Sequence, residues 1–342
     1  MSNLPNYPKI CEDLLKDPSP RTREVISRRF GLKTGQRETL EFIGQSHNLT
    51  RERVRQIERD GFSKIKKRVA SHQKVFDYLA RYLKNSGGLK RENILLSQLG
   101  GQRFQPHVFF LLTYGDQFYR FAETKKFYPF WANSPKALNL AQKIISPLGP
   151  KLAKKKEPLS LQSLYKLSPE KKSLNSQAFN SFVEISKEIE KGIDNLYGLR
   201  EWPEVSPRGL KDKAFLALKK EGRPLHFQDI ASVIDKLNFN QESGERKKAL
   251  PQTVHNELIK DPRFVLVGRG IYALFDWGYT PGYVKDIIEK VLKEKGKPQS
   301  KEEIIKEVSK QRLVKESTIL LNLQNKKYFS KNSDNKYTFS QD

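Results

Sequence analysis

Apolar residues along this chain fall into short runs at helical spacing, each closed by a glycine and followed at a distance by a pair of β-rich segments. In "KVFDYLARYLKNS", Val75, Phe76, Leu79 and Leu83 share one helical face, and "KDKAFLALKKE" and "YVKDIIEKVLKEK" carry the same stripe. The glycine after each run predicts a helix stop, and a short extended piece leads into a second helix. Related junctions recur at roughly 70-residue intervals: "GGLKRENILLSQL" from Gly87, "KEPLSLQSLYKL" from Lys156, "GRPLHFQDIASVI" from Gly222 and "GKPQSKEEIIKEV" from Gly296. In the last of them Ser300 and Glu303 predict a capping box ahead of Ile304, Ile305 and Val308.

A third helix and a hairpin complete the repeat. In "TVHNELIKDPRFVLVGRGIYALFDW" the helix should end near Lys260, with two β-rich runs flanking Gly268-Arg269-Gly270 as a basic hairpin tip. "QFYRFAETKKFYPFW" and "KKYFSKNSDNKYTFS" show the same hairpin pattern. Helix, short strand, helix, helix and a two-stranded wing is a winged helix. The expected fold is therefore mainly α: an N-terminal helix-turn-helix domain over 1–72, then tandem winged-helix modules with small β-hairpin wings over 73–133, 134–206, 207–278 and 279–342. The 134–206 module is divergent, because "GIDNLYGLREWPE" makes a poor wing and "SPLGPKLAKKKE" reads as a basic linker. "SPEKKSLNSQ" and "NFNQESGERKK" read as polar loops, and Trp131, Trp202 and Trp277 as core residues at module ends.

The opening segment has its own logic. Ser19 and Pro20 begin a helix as N-cap and first helical residue, Val25, Ile26 and Phe30 supply its inward face, and Gly31 stops it. Thr39 caps a short helix with Leu40 and Ile43 facing inward, and Asn48 suits the left-handed corner that follows. Thr50 caps the next helix, Leu49 and Val54 form a hydrophobic staple, and Val54, Ile57, Gly61, Phe62 and Ile65 lie along its buried side. Arg51, Glu52, Arg55 and Gln56 are left pointing outward from the first two turns. That is the position from which the second helix of a helix-turn-helix, here 39–58, meets base edges in the major groove. Arginine can bind guanine with two hydrogen bonds, glutamine can do so with adenine, and glutamate can accept from cytosine. Lys64, Lys66, Lys67 and Arg68 continue the helix as candidate phosphate contacts, as does Arg269 at the predicted third wing tip.

Charge strengthens this picture. Lys and Arg number 64 against 39 Asp and Glu, a net charge of +25 that favours a polyanionic partner, nucleic acid before membrane. A lone Cys11 excludes an internal disulfide framework, and no apolar run is long enough to span a bilayer. The start carries no signal-peptide pattern, so a soluble cytoplasmic protein is expected. Histidines stand at 47, 72, 107, 226 and 255 without metal-ligand spacing, and no nucleophile motif or phosphate-cradling glycine loop is present. His226 and His255 share a module but have no cysteine or carboxylate at ligand spacing. No catalytic residues, cofactor or metal are expected.

"REVISRRFGL", "TLEFIG" and "TRERVRQIE", in that order over residues 20–68, resemble region 4 of the sigma-70 family of bacterial RNA polymerase sigma factors, the domain that binds the promoter −35 element. The resemblance implies that Arg51, Glu52, Arg55 and Gln56 contact bases and that Arg53 and Thr39 contact phosphates. It also implies that the segment Arg23 to Leu32 docks on the polymerase β flap. Phe42 departs from the family pattern by replacing an acidic residue, and His47 by standing where a large apolar residue usually packs. Only about 20 residues precede the match, so the −10 melting region of a sigma factor is not expected. Residues 208–278, through "AFLALKKEGRPLHFQDIASVI" and "VHNELIKDPRFVLVGRGIYALFDWG", resemble the HARE-type helix-turn-helix domain, relatives of which occur in the polymerase delta subunit and in chromatin or restriction proteins.

The expected function is a sequence-specific transcription regulator or sigma-like factor that reads a −35-like element in double-stranded DNA and contacts RNA polymerase in the bacterial cytoplasm and nucleoid. The alternatives are a delta-like polymerase adaptor acting through protein contacts, and a restriction component with the same DNA head. Oligomeric state, target sequence and the sign of regulation are left open.

Overall fold

The computed structural model describes residues 5–169, 174–237 and 248–340, so all of "NFNQESGERKK" but its last lysine, and the middle of "SPEKKSLNSQ", lie outside the described residues. The chain divides into two compact units, one up to Arg200 and one from Glu201.

The first unit opens with α1 (Tyr7–Leu14), α2 (Pro20–Phe30), α3 (Leu40–Ser46) and α4 (Arg51–Val69). Its boundaries come from side-chain caps: the Ser19 hydroxyl accepts the Thr22 N–H, Thr39 that of Phe42 and Thr50 that of Arg53. Gly31 ends α2 in the left-handed region at φ 69°, and Asn48 turns the corner between α3 and α4 at φ 54°. That corner is tight. The Gly44 carbonyl accepts from the Leu49 N–H at 2.9 Å, and a Cβ on Gly44 would stand 2.6 Å from the Leu49 carbonyl oxygen.

Helix α2 buries two faces. Val25 joins Ile43 and Val54 in a small cluster flanked by Leu40, Leu49 and Ile57. Ile26 and Phe30 instead enter a much larger core that includes Ile65 of α4 and continues into the next module. That module consists of α5 (Gln73–Asn85), β1 (Leu89–Arg91), α6 (Glu92–Gly100), α7 (Gln105–Tyr114), β2 (Tyr119–Phe121) and β3 (Phe130–Ala132). Its sheet runs β1-β3-β2, antiparallel throughout, with Leu89 and Tyr119 both opposite Ala132. The Phe30 ring meets Phe110 edge-on at 5.2 Å and lies 6.0 Å from both Phe109 and Tyr114, while Phe62 of α4 is 4.6 Å from Tyr114. Head and first winged helix thus share one core, in which α1 also takes part through Tyr7, Cys11 and Leu14.

The next module differs from the sequence-based expectation in two places. After α8 (Ala137–Ile145), the stretch read as a basic linker is a helix, α9 (Leu148–Lys155), because Leu148 and Leu152 at i and i+4 are both buried. Past α10 (Leu161–Leu167) and α11 (Ser176–Glu184), the stretch read as a poor wing forms a hairpin of β4 (Ile189–Lys191) and β5 (Tyr197–Leu199). Asn195 supplies the left-handed turn residue at φ 59°, and all three residues of β5 are buried. Leu159 bridges Tyr197 and reproduces the short leading strand of the other modules. This module packs on its predecessor through a buried Lys90–Glu184 pair at 2.6 Å.

The second unit holds two further winged helices. One comprises α12 (Gly209–Glu221), β6 (Leu225–His226), α13 (Phe227–Leu237), α14 (Pro251–Lys260), β7 (Phe264–Gly268) and β8 (Ile271–Leu274), with sheet order β6-β8-β7. The other comprises α15 (Val284–Lys295), α16 (Lys301–Gln311), α17 (Glu316–Leu323), β9 (Phe329–Lys331) and β10 (Tyr337–Phe339). Ser300 and Glu303 form the expected capping box on α16. The two are tied by the Leu313 N–H donating to the Val267 carbonyl at 2.6 Å, and the buried Arg312 guanidinium holds the segment that leads into α15 by donating to the Thr280 and Gly282 carbonyls at 2.7 Å. Trp131 is buried in β3, whereas Trp202 and Trp277 are half-buried.

Candidate nucleic-acid interface

Because Thr50 fixes where α4 begins and Val54, Gly61 and Ile65 fix which side is buried, the outward direction of its first two turns is determined. Arg51, Glu52, Arg53, Arg55 and Gln56 are all exposed there. The structure therefore brings the base-reading candidates onto one short solvent-facing surface. Without DNA they pair with each other: Arg55 holds Glu52 through Nη2–Oε1 at 2.6 Å and Nε–Oε2 at 2.8 Å, and Arg53 donates to Gln56 Oε1 at 3.1 Å. Arg51 has no hydrogen bond or ion pair among the described residues. The hydrogen bond from Arg55, reinforced by its charge, holds the Glu52 carboxyl below its usual range, so Glu52 is an acceptor only. These pairs are fully exposed and screened, so base edges or phosphates can displace them at little cost.

Thr39 and Thr50 each accept a backbone N–H at a cap, which leaves the hydroxyl hydrogens available to a phosphate oxygen. The four basic residues farther along α4 separate into two kinds. Lys66 is paired with Asp116 and Arg68 with Asp17, each at 2.5 Å. Lys64 and Lys67 have no ion pair among the described residues. The acidic partners lie 50 and 51 positions away in the sequence, so no local pattern reveals them. Arg269 is exposed at the tip of the β7–β8 hairpin in the second unit.

The two departures from the sigma pattern sit side by side. Phe42 is 58% exposed on the outer side of α3, with the Arg28 guanidinium 6.0 Å from its ring centroid. His47 is half-buried, its Nε2 3.4 Å from Glu24 and 3.4 Å from Arg28, which is itself held by Glu38 at 2.6 Å. Within the segment Arg23 to Leu32, the apolar side chains Ile26, Phe30 and Leu32 belong to the core shared with α7, and Arg23 and Glu24 stay exposed.

No group of three or more His, Cys, Asp or Glu among the described residues is placed to hold a metal ion. Phe227 lies between His226 and His255, with ring centroids at 4.4 and 4.6 Å. No helix among the described residues is long and apolar enough to cross a membrane.

Comparison with known proteins bears on the same two regions. The family model described as "Sigma-70, region 4" matches residues 15–67. The HARE-HTH family model, whose description names ASXL and a restriction endonuclease helix-turn-helix domain, matches residues 208–277. Among similar curated proteins, RNA polymerase sigma factor SigA of Microcystis aeruginosa is 49% identical over 55 residues, covering 16% of this chain and 13% of that protein. The principal sigma factor HrdD of Streptomyces coelicolor is 43% identical over 56 residues, covering 16% of this chain and 17% of its own length. The probable RNA polymerase sigma-C factor of Synechocystis is 40% identical over 76 residues, covering 22% and 18%. The chain thus spans under a fifth of the length of these relatives. Its head is a helix-turn-helix of the sigma region 4 type, and its third winged helix is of the HARE type.

Proposed function

We propose that the protein is a sequence-specific transcription regulator, in which α4 enters the major groove of a promoter −35-like element and the winged-helix modules add phosphate contacts. The observation that carries this reading is the surface of Arg51, Glu52, Arg55 and Gln56 on a helix whose start and rotation are fixed by the Thr50 cap and the Val25–Ile43–Val54 cluster. Each bidentate pair to the right base is worth roughly 1–3 kcal/mol of discrimination. Linked modules raise affinity further if they engage together. The match to sigma factors supports a partnership with bacterial RNA polymerase. Since the apolar side of the Arg23 to Leu32 segment is covered by α7, we assign the contact to the β flap to its polar side, around Arg23 and Glu24.

In vitro selection of bound duplexes with wild type and Gln56→Ala tests the reading. The expected result is an enriched motif that relaxes at one position in the variant. Absence of any enriched motif, together with full retention on RNA polymerase when Arg51, Glu52 and Gln56 are all alanine, would establish the adaptor instead.

A further inference from the structure

A cavity of about 550 Å³ lies within the first unit where the head meets the first winged helix. Arg29 and Arg37 line it from the head, and Phe109, Arg120 and Trp131 from the module. The Arg37 guanidinium stacks on the Phe109 ring at 3.4 Å from its centroid, and among the described residues it has no hydrogen bond or ion pair. Arg120 is 5.4 Å from the same ring.

The counter-ions do not balance these cations. Glu92 is committed to Arg120, through Nε at 2.6 Å and Nη2 at 2.9 Å, and to the Trp131 indole N–H at 2.9 Å. Glu58 stands 3.6 Å from Arg29, and burial raises its pKa, which weakens it as a counter-ion. Burial, helped by repulsion from Arg120 and Arg29 and opposed by attraction to Glu92, in turn pulls the Arg37 guanidinium below its ordinary range. An arginine held flat on a ring at the mouth of a cavity, with Arg29 and Arg120 lining the same cavity, is suited to an anion, and its planar fork matches a phosphate. The remaining walls are aromatic, with Phe62 and Phe118 beside Trp131. Duplex phosphates approach from outside and need neither concavity nor apolar walls. A planar ring attached to a phosphate uses both, and the volume lies in the range of small-molecule sites.

We infer that this cavity binds a nucleotide unit, as a free nucleoside diphosphate or as the end of a DNA single strand, with its phosphate on Arg37 and Arg29 and its base against the partly exposed Phe62 wall. Such a ligand touches the head and the module at once. The inference is independent of duplex reading by α4.

The test is calorimetric titration of the full chain with GDP, ADP, CDP, inorganic pyrophosphate, a thymidine pentanucleotide and an acidic peptide. Wild type, Arg37→Gln, Arg37→Lys and Arg51→Ala are compared, with circular dichroism to verify folding. At least one nucleotide or the oligonucleotide should bind with Kd below about 1 mM. Arg37→Gln should weaken it roughly tenfold or more, and Arg37→Lys less, because the charge survives without the fork. Arg51→Ala should leave it unchanged while reducing duplex binding, so failure here and failure of the −35 reading are separable. Binding of mononucleotides but not the oligonucleotide identifies a free ligand, and the reverse identifies strand ends. Pyrophosphate or the acidic peptide binding as tightly as any nucleotide, no binding at about 5 mM, or a folded Arg37→Gln variant with wild-type affinity would each overturn the inference.

Discussion

Replacing Phe30 with alanine tests whether the helix-turn-helix head is an independent domain or one body with the winged helix that follows it. Phe30 is 4% exposed and touches Phe109, Phe110 and Tyr114, all on α7. Truncating a buried phenylalanine costs about 3–5 kcal/mol, and the edge-on pair with Phe110 argues for the upper half of that range. Because the chain has more than one unit, a single melting temperature would blur the effect. Hydrogen exchange read by peptide separates it. With about 1.4 kcal/mol per factor of ten, amides of α2, α4 and α7 that exchange through a shared opening should speed up roughly 10²–10⁴-fold. Peptides from α12 to α17, in the other unit, serve as the internal reference. Acceleration confined to residues 20–69 with α7 at its wild-type rate would refute the shared core, as would a change below about tenfold everywhere.

Other predictions concern the corner, the charges and the third module. Gly44→Ala gains about 1 kcal/mol of helix propensity, yet its Cβ would meet the Leu49 carbonyl oxygen at 2.6 Å, beside the Thr50 cap, so the net effect is destabilising. Thermal unfolding and duplex affinity should both fall, and a neutral outcome would show that the corner yields. In the third module, Arg263 holds Asp212 at 2.8 Å and Asp261 at 2.7 Å, and its hydrogen bonds lower the pKa of Asp261. A depressed carboxylate contributes stability above its unfolded pKa of about 3.9 and loses it as pH falls through the lower folded value. The urea midpoint of this module should therefore drop between about pH 5 and pH 3, and Arg263→Met should flatten that dependence while lowering stability at neutral pH. Finally, contact with six to ten phosphates predicts a fall in duplex affinity of roughly 10³–10⁵-fold between about 50 and 200 mM salt. A nearly flat fluorescence-anisotropy series would exclude extended DNA contact.

Local signals in the chain carried the head and the repeats. Ser19, Thr39 and Thr50 cap where their side chains predict, Asn48 takes the left-handed corner, and Leu49 packs with Val54. Each of these depends on residues only a few positions apart, which is why spacing alone reveals them. The α9 helix and the β4–β5 wing were missed because short polar runs conceal two buried leucines and the three buried residues of β5. Pairs that close over long separations, Lys66 with Asp116 and Arg68 with Asp17, leave no trace in periodicity. They nonetheless alter the expected chemistry, since of the four basic residues behind the reading surface only Lys64 and Lys67 are free of an ion pair among the described residues.

The joint between head and first module bears most directly on mechanism. A stripe of Ile26, Phe30 and Ile65 reads in sequence as the inside of a small three-helix domain, because nothing local says that the partner surface comes from α7. The structure gives α2 two partners: Val25 closes the helix-turn-helix, and Ile26 and Phe30 anchor it elsewhere. A helix mounted as α4 is does not swing freely on a linker. Its angle is set by the same aromatic contacts that hold the winged helix, to which the exposed charge pairs Lys66–Asp116 and Arg68–Asp17 add little. Phe62 lines the cavity beside Arg37 and belongs to α4, so a ligand held there would touch the helix that carries Arg51, Glu52, Arg55 and Gln56.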